Sequence, residues 1–140
     1  MPLISCSPAR LLAAYLATGI KQKAGWSVQV GNEPTSPDET ITIFDTVGYT
    51  DGRNLVSKAT CIHHGIQFRI RSRDYRDGWL KLGEIQRLLD QICNTEIKVE
   101  EVDFVLNSFV LAGPGGFIGN QEKNKRCVFT LNGLLTAREV

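Results

Sequence analysis

The sequence has few of the residues from which metal centres and catalytic sites are built. It contains two histidines, one methionine and four cysteines, and no two cysteines are spaced as CxxC. Disulfide frameworks need an oxidising compartment, and the first eight residues lack the basic segment of a secretory signal. We therefore expect reduced thiols, in a cytosolic protein, at the scattered positions Cys6, Cys61, Cys93 and Cys127.

Long hydrophobic runs and an excess of either charge are also missing. No apolar run approaches the roughly 20 residues that cross a bilayer, so no membrane contact is expected. The net charge is +1, from 16 basic and 15 acidic residues, whereas a dedicated nucleic-acid-binding domain is usually strongly basic. A chain with so little self-repulsion is suited to association with other proteins.

The composition is sufficient for one packed domain. The chain has 140 residues, of which 42% are hydrophobic, and it contains no internal repeat, low-complexity tract or linker. A chain of this length usually folds around one core. We predict a single domain over residues 1–140, with a long loop or hairpin at about 46–64, where the sequence is polar. Loops of that length in a compact domain are usually functional or mobile.

The candidates for chemistry are weak. Cys61, His63 and His64 offer metal donors, but a structural zinc site takes four ligands, so the pattern favours a strand end or loop. Nucleophilic catalysis needs a nucleophile, a base and an orienting group, and neither histidine lies in a recognised motif. The glycine-rich segment 113–116 lacks the Lys-Ser/Thr of a phosphate loop. We predict no enzyme activity, cofactor or metal.

Hydrophobic periodicity predicts two helices. Ser7 is a good N-cap and Pro8 suits the first helical position, and the apolar residues that follow repeat at helical spacing as far as Gly19. Asp74 is a candidate cap for a second helix that ends near Asn94. Its predicted apolar stripe is Trp79, Leu82, Ile85, Leu89 and Ile92.

Alternating and β-branched segments predict the strands, at 25–30, 40–45, 65–73, 102–110 and 126–134. In the third of these, Ile66, Phe68 and Ile70 point one way, and Gln67, Arg69 and Arg71 point the other. The predicted order is α-β-β-β-α-β-β. The fold class is α+β, with a mixed, mostly antiparallel sheet of four to five strands packed against two helices.

An arginine row is the first candidate contact surface. Arg69, Arg71 and Arg73 share one strand face. They can bind a nucleic-acid backbone, pair with carboxylates of another subunit, or form a solvated face. Glu96, Glu100, Glu101 and Asp103 are the obvious acidic complement.

An apolar pair is the second candidate. Phe117 and Ile118 follow the glycine-rich segment, and such a pair is either tucked into the core or offered to a partner. Both alternatives are compatible with the sequence. Asp45 and Tyr49, at the start of the long loop, complete the predicted contact residues.

Three segments together resemble the tail terminator, or minor capsid, proteins of long-tailed bacteriophages and prophages. The first runs from Pro34 to Gly48 and contains the Pro37-Asp38 turn; the second runs from Ile66 to Tyr75; the third runs from Phe117 to Asn132. The chain departs from the family's pattern in the stretch 49–64, which is not rich in proline and aromatic residues, and at Asn120, where an acidic residue is common.

The resemblance implies a small α+β domain whose copies form a ring, typically of six. The ring caps the completed tail tube, joins it to the head connector in the neck of the virion, and lets DNA pass through its lumen without sequence-specific contact. Assembly in the host cytoplasm is implied as well. A head-completion or connector protein is the alternative within the virion, and a nucleic-acid-binding module using Arg69, Arg71 and Arg73 is the alternative outside it.

Overall fold

One sheet joins all the strands that the structure describes, and two helices pack against one of its faces. The computed structural model describes residues 4–19, 26–52, 61–121 and 125–140. The helices are α1 (Pro8–Gly19) and α2 (Tyr75–Asp90). The strands are β1 (Ser27–Val30), β2 (Thr40–Thr50), β3 (Ile62–Ser72), β4 (Cys93–Val99), β5 (Val102–Leu111), β6 (Gly116–Gln121) and β7 (Arg126–Glu139). The α+β class and the two helices are confirmed.

The predicted strand number was too low. Across the described residues the sheet has seven strands in the order β1-β2-β3-β7-β5-β4, with β6 also paired to β7, and the element order is α-β-β-β-α-β-β-β-β. Strands β4 and β6 were missed because β4 is a largely exposed edge strand and β6 carries two glycines and two amides in six residues. Only β1 and β2 run parallel, so the sheet is mixed and mostly antiparallel, as predicted.

Strand β7 is the centre of the sheet. On one side it pairs with β3 along Cys127–Leu135. On the other side, β6 pairs with its first part and β5 with its last part, so β5 and β6 lie end to end. The glycine-rich segment joins them. A Cβ at Gly115 would lie 2.8 Å from Leu82 Cδ1, so glycine allows the backbone to pass close to α2.

The core lies between the sheet and the helices. Ile66, Phe68 and Ile70 are buried there, as the alternation predicts, together with the apolar faces of α1 and α2. Helix α1 contacts β1 and β2 near one edge and β4 at the other, so the sheet curls into a half-barrel. No helix among the residues described is long and apolar enough to span a membrane.

Two side-chain oxygens hold the start of α1. Ser7 Oγ accepts a hydrogen bond from the Arg10 amide at 3.3 Å, which fits the predicted cap. Asp45 Oδ1 accepts one from the Ala9 amide at 2.9 Å. Each bond satisfies one of the backbone donors that a helix start leaves free. Asp45 therefore fastens β2 to α1.

Helix α2 does not follow the predicted stripe throughout. It ends at Asp90, so Asn94 lies beyond it, in β4. Its buried face includes Gly78 and Lys81, while Trp79 is half exposed. A Cβ at Gly78 would lie 2.4 Å from Phe129 Cε2. The missing side chain lets the helix pack closely on β7 and places Trp79 at the rim of the core.

The predicted loop or hairpin at 46–64 consists largely of strand where it is described. Strand β2 continues to Thr50 and β3 begins at Ile62, with a bulge between Thr46 and Tyr49. A Cβ at Gly48 would lie 1.9 Å from the His63 carbonyl oxygen, so only glycine fits this close approach. Residues 53–60 lie outside the described part of the chain.

Candidate functional site

The arginine row is engaged within its own chain. Glu33 and Asp38, on the connection between β1 and β2, face two arginines of β3, a third that follows the end of β3, and a fourth at the start of β7. The ion pairs are Arg69 Nε to Glu33 Oε2 at 2.8 Å, Arg71 Nη1 to Glu33 Oε1 at 3.2 Å, Arg73 Nε to Asp38 Oδ2 at 2.7 Å, and Arg126 Nη2 to Asp38 Oδ1 at 2.7 Å. We call these six residues the arginine clamp. No local sequence pattern predicts it, because the partners lie more than 30 residues apart.

Arg71 is the buried centre of the clamp. Its exposed fraction is 2%, because the connection 31–39 covers the face of β3 that was expected to meet solvent. Arg71 Nε donates to the Asp38 carbonyl at 3.2 Å, and Nη2 donates to the Pro37 carbonyl at 2.7 Å. Burial lowers the pKa of Arg71, Arg126 acts in the same direction, and Glu33 opposes both. Arg71 is thus a structural residue.

Arg69 and Arg73 keep some exposed surface. The exposed fraction of the side chain is 36% for Arg69 and 75% for Arg73. The Arg69 contact is an ion pair without a directed hydrogen bond from Nε, since that atom is buried with no hydrogen-bond partner. Because carboxylates already neutralise both arginines, the row presents little free positive charge to a phosphate backbone.

Phe117 and Ile118 are 42% and 54% exposed, so the alternative that placed them in the core is excluded. Phe117 of β6 belongs to a cluster with Tyr75 and Trp79 of α2, whose three side chains are between 42% and 51% exposed. We call these three residues the aromatic patch; Leu80, which follows Trp79, is exposed as well. The members of the patch were assigned separately from sequence, and only the pairing of β6 with β7 brings them together.

The aromatic patch is held by ring contacts to a buried phenylalanine. The Phe129 ring centroid lies 5.3 Å from that of Tyr75, 5.5 Å from that of Phe117 and 6.3 Å from that of Trp79. Tyr75 and Phe117 meet edge to face at 5.2 Å. Such pairs contribute about 0.5–1.5 kcal/mol beyond area burial. The patch is therefore preorganised, although half of its surface faces solvent.

A β-hairpin arm lies at the other end of β3. We define the arm as the described residues 45–52 and 61–65. Val47 is 96% exposed and Tyr49 is half exposed, and the Tyr49 ring stacks on His63 with centroids 4.6 Å apart. His63 Nε2 lies 2.9 Å from Asp51 Oδ2, and its Nδ1 lies 3.2 Å from Thr136 Oγ1.

His64 differs from its neighbour in the arm. Burial lowers the pKa of His64; Asp45 raises it, and His63 lowers it further. Burial therefore favours the neutral form of this side chain in the fold.

An acidic turn joins β4 to β5. Glu100 and Glu101 have φ values of 50° and 66°, in the left-handed region that such two-residue turns usually fill with Asn-Gly. Arg10 Nη2 lies 2.9 Å from Glu100 Oε1, but both side chains are mostly exposed, so this pair adds little stability. Non-glycine residues held in this region carry backbone strain, and such strain clusters at functional sites. Asp103 flanks the turn.

Comparisons with known proteins identify a family and a similar fold. A family model described as "Bacteriophage tail terminator protein" matches residues 14–128. A chain in a solved structure titled "Virion of native gene transfer agent (GTA) particle" superposes with a TM-score of 0.51 at 10% sequence identity. The match covers 93% of this chain and 85% of that chain. At this identity the likeness concerns the fold alone. No curated protein matches the sequence.

Proposed function

We propose, from the premise that this chain belongs to the bacteriophage tail terminator family, that its copies form a ring which caps the completed tail tube. The chain is a structural phage tail protein and a component of the virion. We further propose that the ring has six subunits, that it joins the tube to the head connector in the neck, and that the chain is in the host cytoplasm during assembly.

The distance between the arm and the aromatic patch carries the proposal. Strand β3 has 11 residues, which at ~3.3 Å per residue span about 35 Å. The arm extends from its first residues, and the patch begins just after its last. Two such distant surfaces on one subunit can meet only between copies. A contact between different surfaces of identical chains is heterologous, and it generates a ring when the rotation closes.

We propose that the arm of one subunit lies on the aromatic patch of the next. Val47 and Tyr49 supply apolar surface on the arm, and Trp79 and Phe117 supply it on the patch. A tryptophan exposes roughly 250 Å² when free, so half of Trp79 leaves about 125 Å² to be covered. At ~25 cal/mol per Å² this contributes about 3 kcal/mol to each contact before the cost of association.

The charged residues supply specificity in the proposed ring. The acidic turn and Asp103 are the complement for the exposed parts of Arg69 and Arg73 of another copy. They can equally contact the tube or connector protein. Rim charges of this kind change association rate and partner choice more than affinity. DNA passes the lumen without being read, which agrees with a net charge of +1. The engaged arginine clamp argues against a nucleic-acid-binding module.

Sedimentation equilibrium and electron microscopy of the purified chain test the proposal. We expect rings, and capping of purified tail tubes by those rings. Trp79→Ser should weaken self-association by about 30- to 150-fold, the equivalent of about 2–3 kcal/mol. Val110→Ser is the matched control, because Val110 is equally exposed but pairs with Leu134 on the opposite face of the sheet. A strictly monomeric chain that does not bind tail tubes would refute the proposed ring. Equal effects of the two variants on self-association would refute the role of the aromatic patch in it.

A further inference from the structure

We propose that the arm binds a divalent metal ion of the zinc class through Asp51, Cys61 and His63. The ligand atoms of these three side chains all lie within 4.8 Å of one another. His63 Nε2 and Asp51 Oδ2 are the closest pair, at 2.9 Å. Tetrahedral zinc with bonds of 2.0–2.3 Å places its ligand atoms roughly 3.4 Å apart, so small side-chain rotations bring the three donors to one ion.

The hairpin register places the three donors on one face. Cys61 and His63 are two residues apart on one strand, so their side chains point the same way. Across the hairpin, Tyr49 pairs with His63 and Thr50 with Ile62. The Asp51 amide donates to the Cys61 carbonyl at 2.9 Å. Asp51 therefore stands opposite Cys61. Sequence spacing alone offered His64 as the third donor, but His64 lies on the other face.

The surroundings of His63 fix which ring nitrogen faces the site. Thr136 Oγ1 lies 3.2 Å from Nδ1, and Tyr49 stacks on the ring. Histidines that bind metals usually have their second nitrogen hydrogen-bonded in this way, which sets the tautomer and the ring orientation. An ion pair between His63 and Asp51 would by itself account for their 2.9 Å contact. It would not explain why the Cys61 thiol also lies within reach of both side chains.

The donor set selects the kind of metal. A thiolate, an imidazole and a carboxylate are zinc ligands, whereas Ca²⁺ and Mg²⁺ prefer oxygen alone. All three side chains are at least partly exposed, so an ion can enter. Three protein ligands leave a fourth position for water or for a donor from another molecule. A bound ion would join the two strands of the arm beside Val47 and Tyr49, whatever the arm contacts.

Cobalt titration of the full chain under reducing conditions tests the site. Co²⁺ should produce a thiolate-to-cobalt charge-transfer absorption in the wild-type chain, and Zn²⁺ should abolish it. Cys61→Ser should lose the absorption, and His63→Gln should weaken Co²⁺ binding at least tenfold. Cys93→Ser is the matched control, because Cys93 is exposed and lies outside the arm; it should behave as wild type.

A second readout keeps the test independent of spectroscopy. Saturating Zn²⁺ should raise the Tm of the wild-type chain and of Cys93→Ser, because an ion that binds only the folded state stabilises it. Cys61→Ser should show a smaller shift or none. The proposal is overturned if wild-type protein gives no charge-transfer absorption, if Cys61→Ser retains it, or if Zn²⁺ shifts the Tm of all three proteins equally.

Discussion

Replacing Arg71 by methionine should destabilise the fold by about 2–3 kcal/mol. Methionine keeps much of the apolar stem but none of the donors. The Asp38 carbonyl then loses the Arg71 Nε donor that bonds it at 3.2 Å. The Pro37 carbonyl retains the Thr40 hydroxyl at 2.7 Å, and Glu33 retains Arg69 at 2.8 Å. An orphaned buried polar group costs about 1–3 kcal/mol, more when it is charged.

The expected loss of stability is smaller than that for a fully buried ion pair, because Glu33 stays partly solvated and paired. Breaking such a pair costs about 3–5 kcal/mol, but the Glu33 side chain is 18% exposed and keeps one arginine. For a chain of this size, a loss of about 2–3 kcal/mol lowers the Tm by about 10 °C. Arg71→Lys retains the charge without the planar fork and should lie between the two proteins.

Urea unfolding followed by tryptophan fluorescence measures the effect. Lys98→Met is the control, because its pair with Glu101 is 4.0 Å long and both side chains are exposed; it should change the free energy of unfolding by less than about 0.5 kcal/mol. An Arg71→Met protein within about 0.5 kcal/mol of wild type would refute the structural role. Arg71 would then be free to serve a partner.

The remaining predictions concern four single substitutions. Gly78→Ala should destabilise by about 1–2 kcal/mol in urea unfolding, because overpacking against Phe129 exceeds the gain in helix propensity; Gly83→Ala, with open space around its Cβ, should stabilise by up to about 1 kcal/mol. Burial lowers the pKa of His64 in the fold, so unfolded chains bind its proton more readily, and stability should fall as pH drops below the ordinary histidine pKa of about 6.5; His64→Gln should reduce that fall in pH-dependent melts. Glu101→Gly, at φ 66°, should raise the Tm by relieving about 1 kcal/mol of strain.

The parts of the fold that were predicted are those with strong periodicity. Ile66, Phe68 and Ile70 alternate in a strand buried on one face, and the stripe of α2 repeats over three turns. Strand β4 was not predicted because it is an edge strand. Such a strand exposes most of its side chains and needs few apolar residues. Strand β6 was not predicted because its own composition does not indicate a strand; it forms by pairing with β7.

The candidate surfaces depended on contacts that sequence spacing does not contain. Phe117 and Ile118 were identified because a glycine-rich segment precedes them, but Trp79 was placed in the core on helical spacing alone. The structure turns it outward because Gly78 occupies the contact with Phe129. Glu33 pairs with Arg69 and Arg71, which were expected at the surface. No local sequence pattern links Glu33 to β3. Such pairings arise from tertiary structure and override local patterns.

Mixing two assembly-deficient variants tests the arm-to-patch contact most directly. An arm variant, Val47→Asp with Tyr49→Ser, and a patch variant, Trp79→Ser with Phe117→Ser, should each be monomeric. Mixed together, they should form one-to-one heterodimers and no rings, because only one intact arm and one intact patch can meet in each pair. Native mass spectrometry of the mixture distinguishes the outcomes. The proposed contact would be contradicted if the two variants remain monomeric when mixed, or if either variant forms rings by itself.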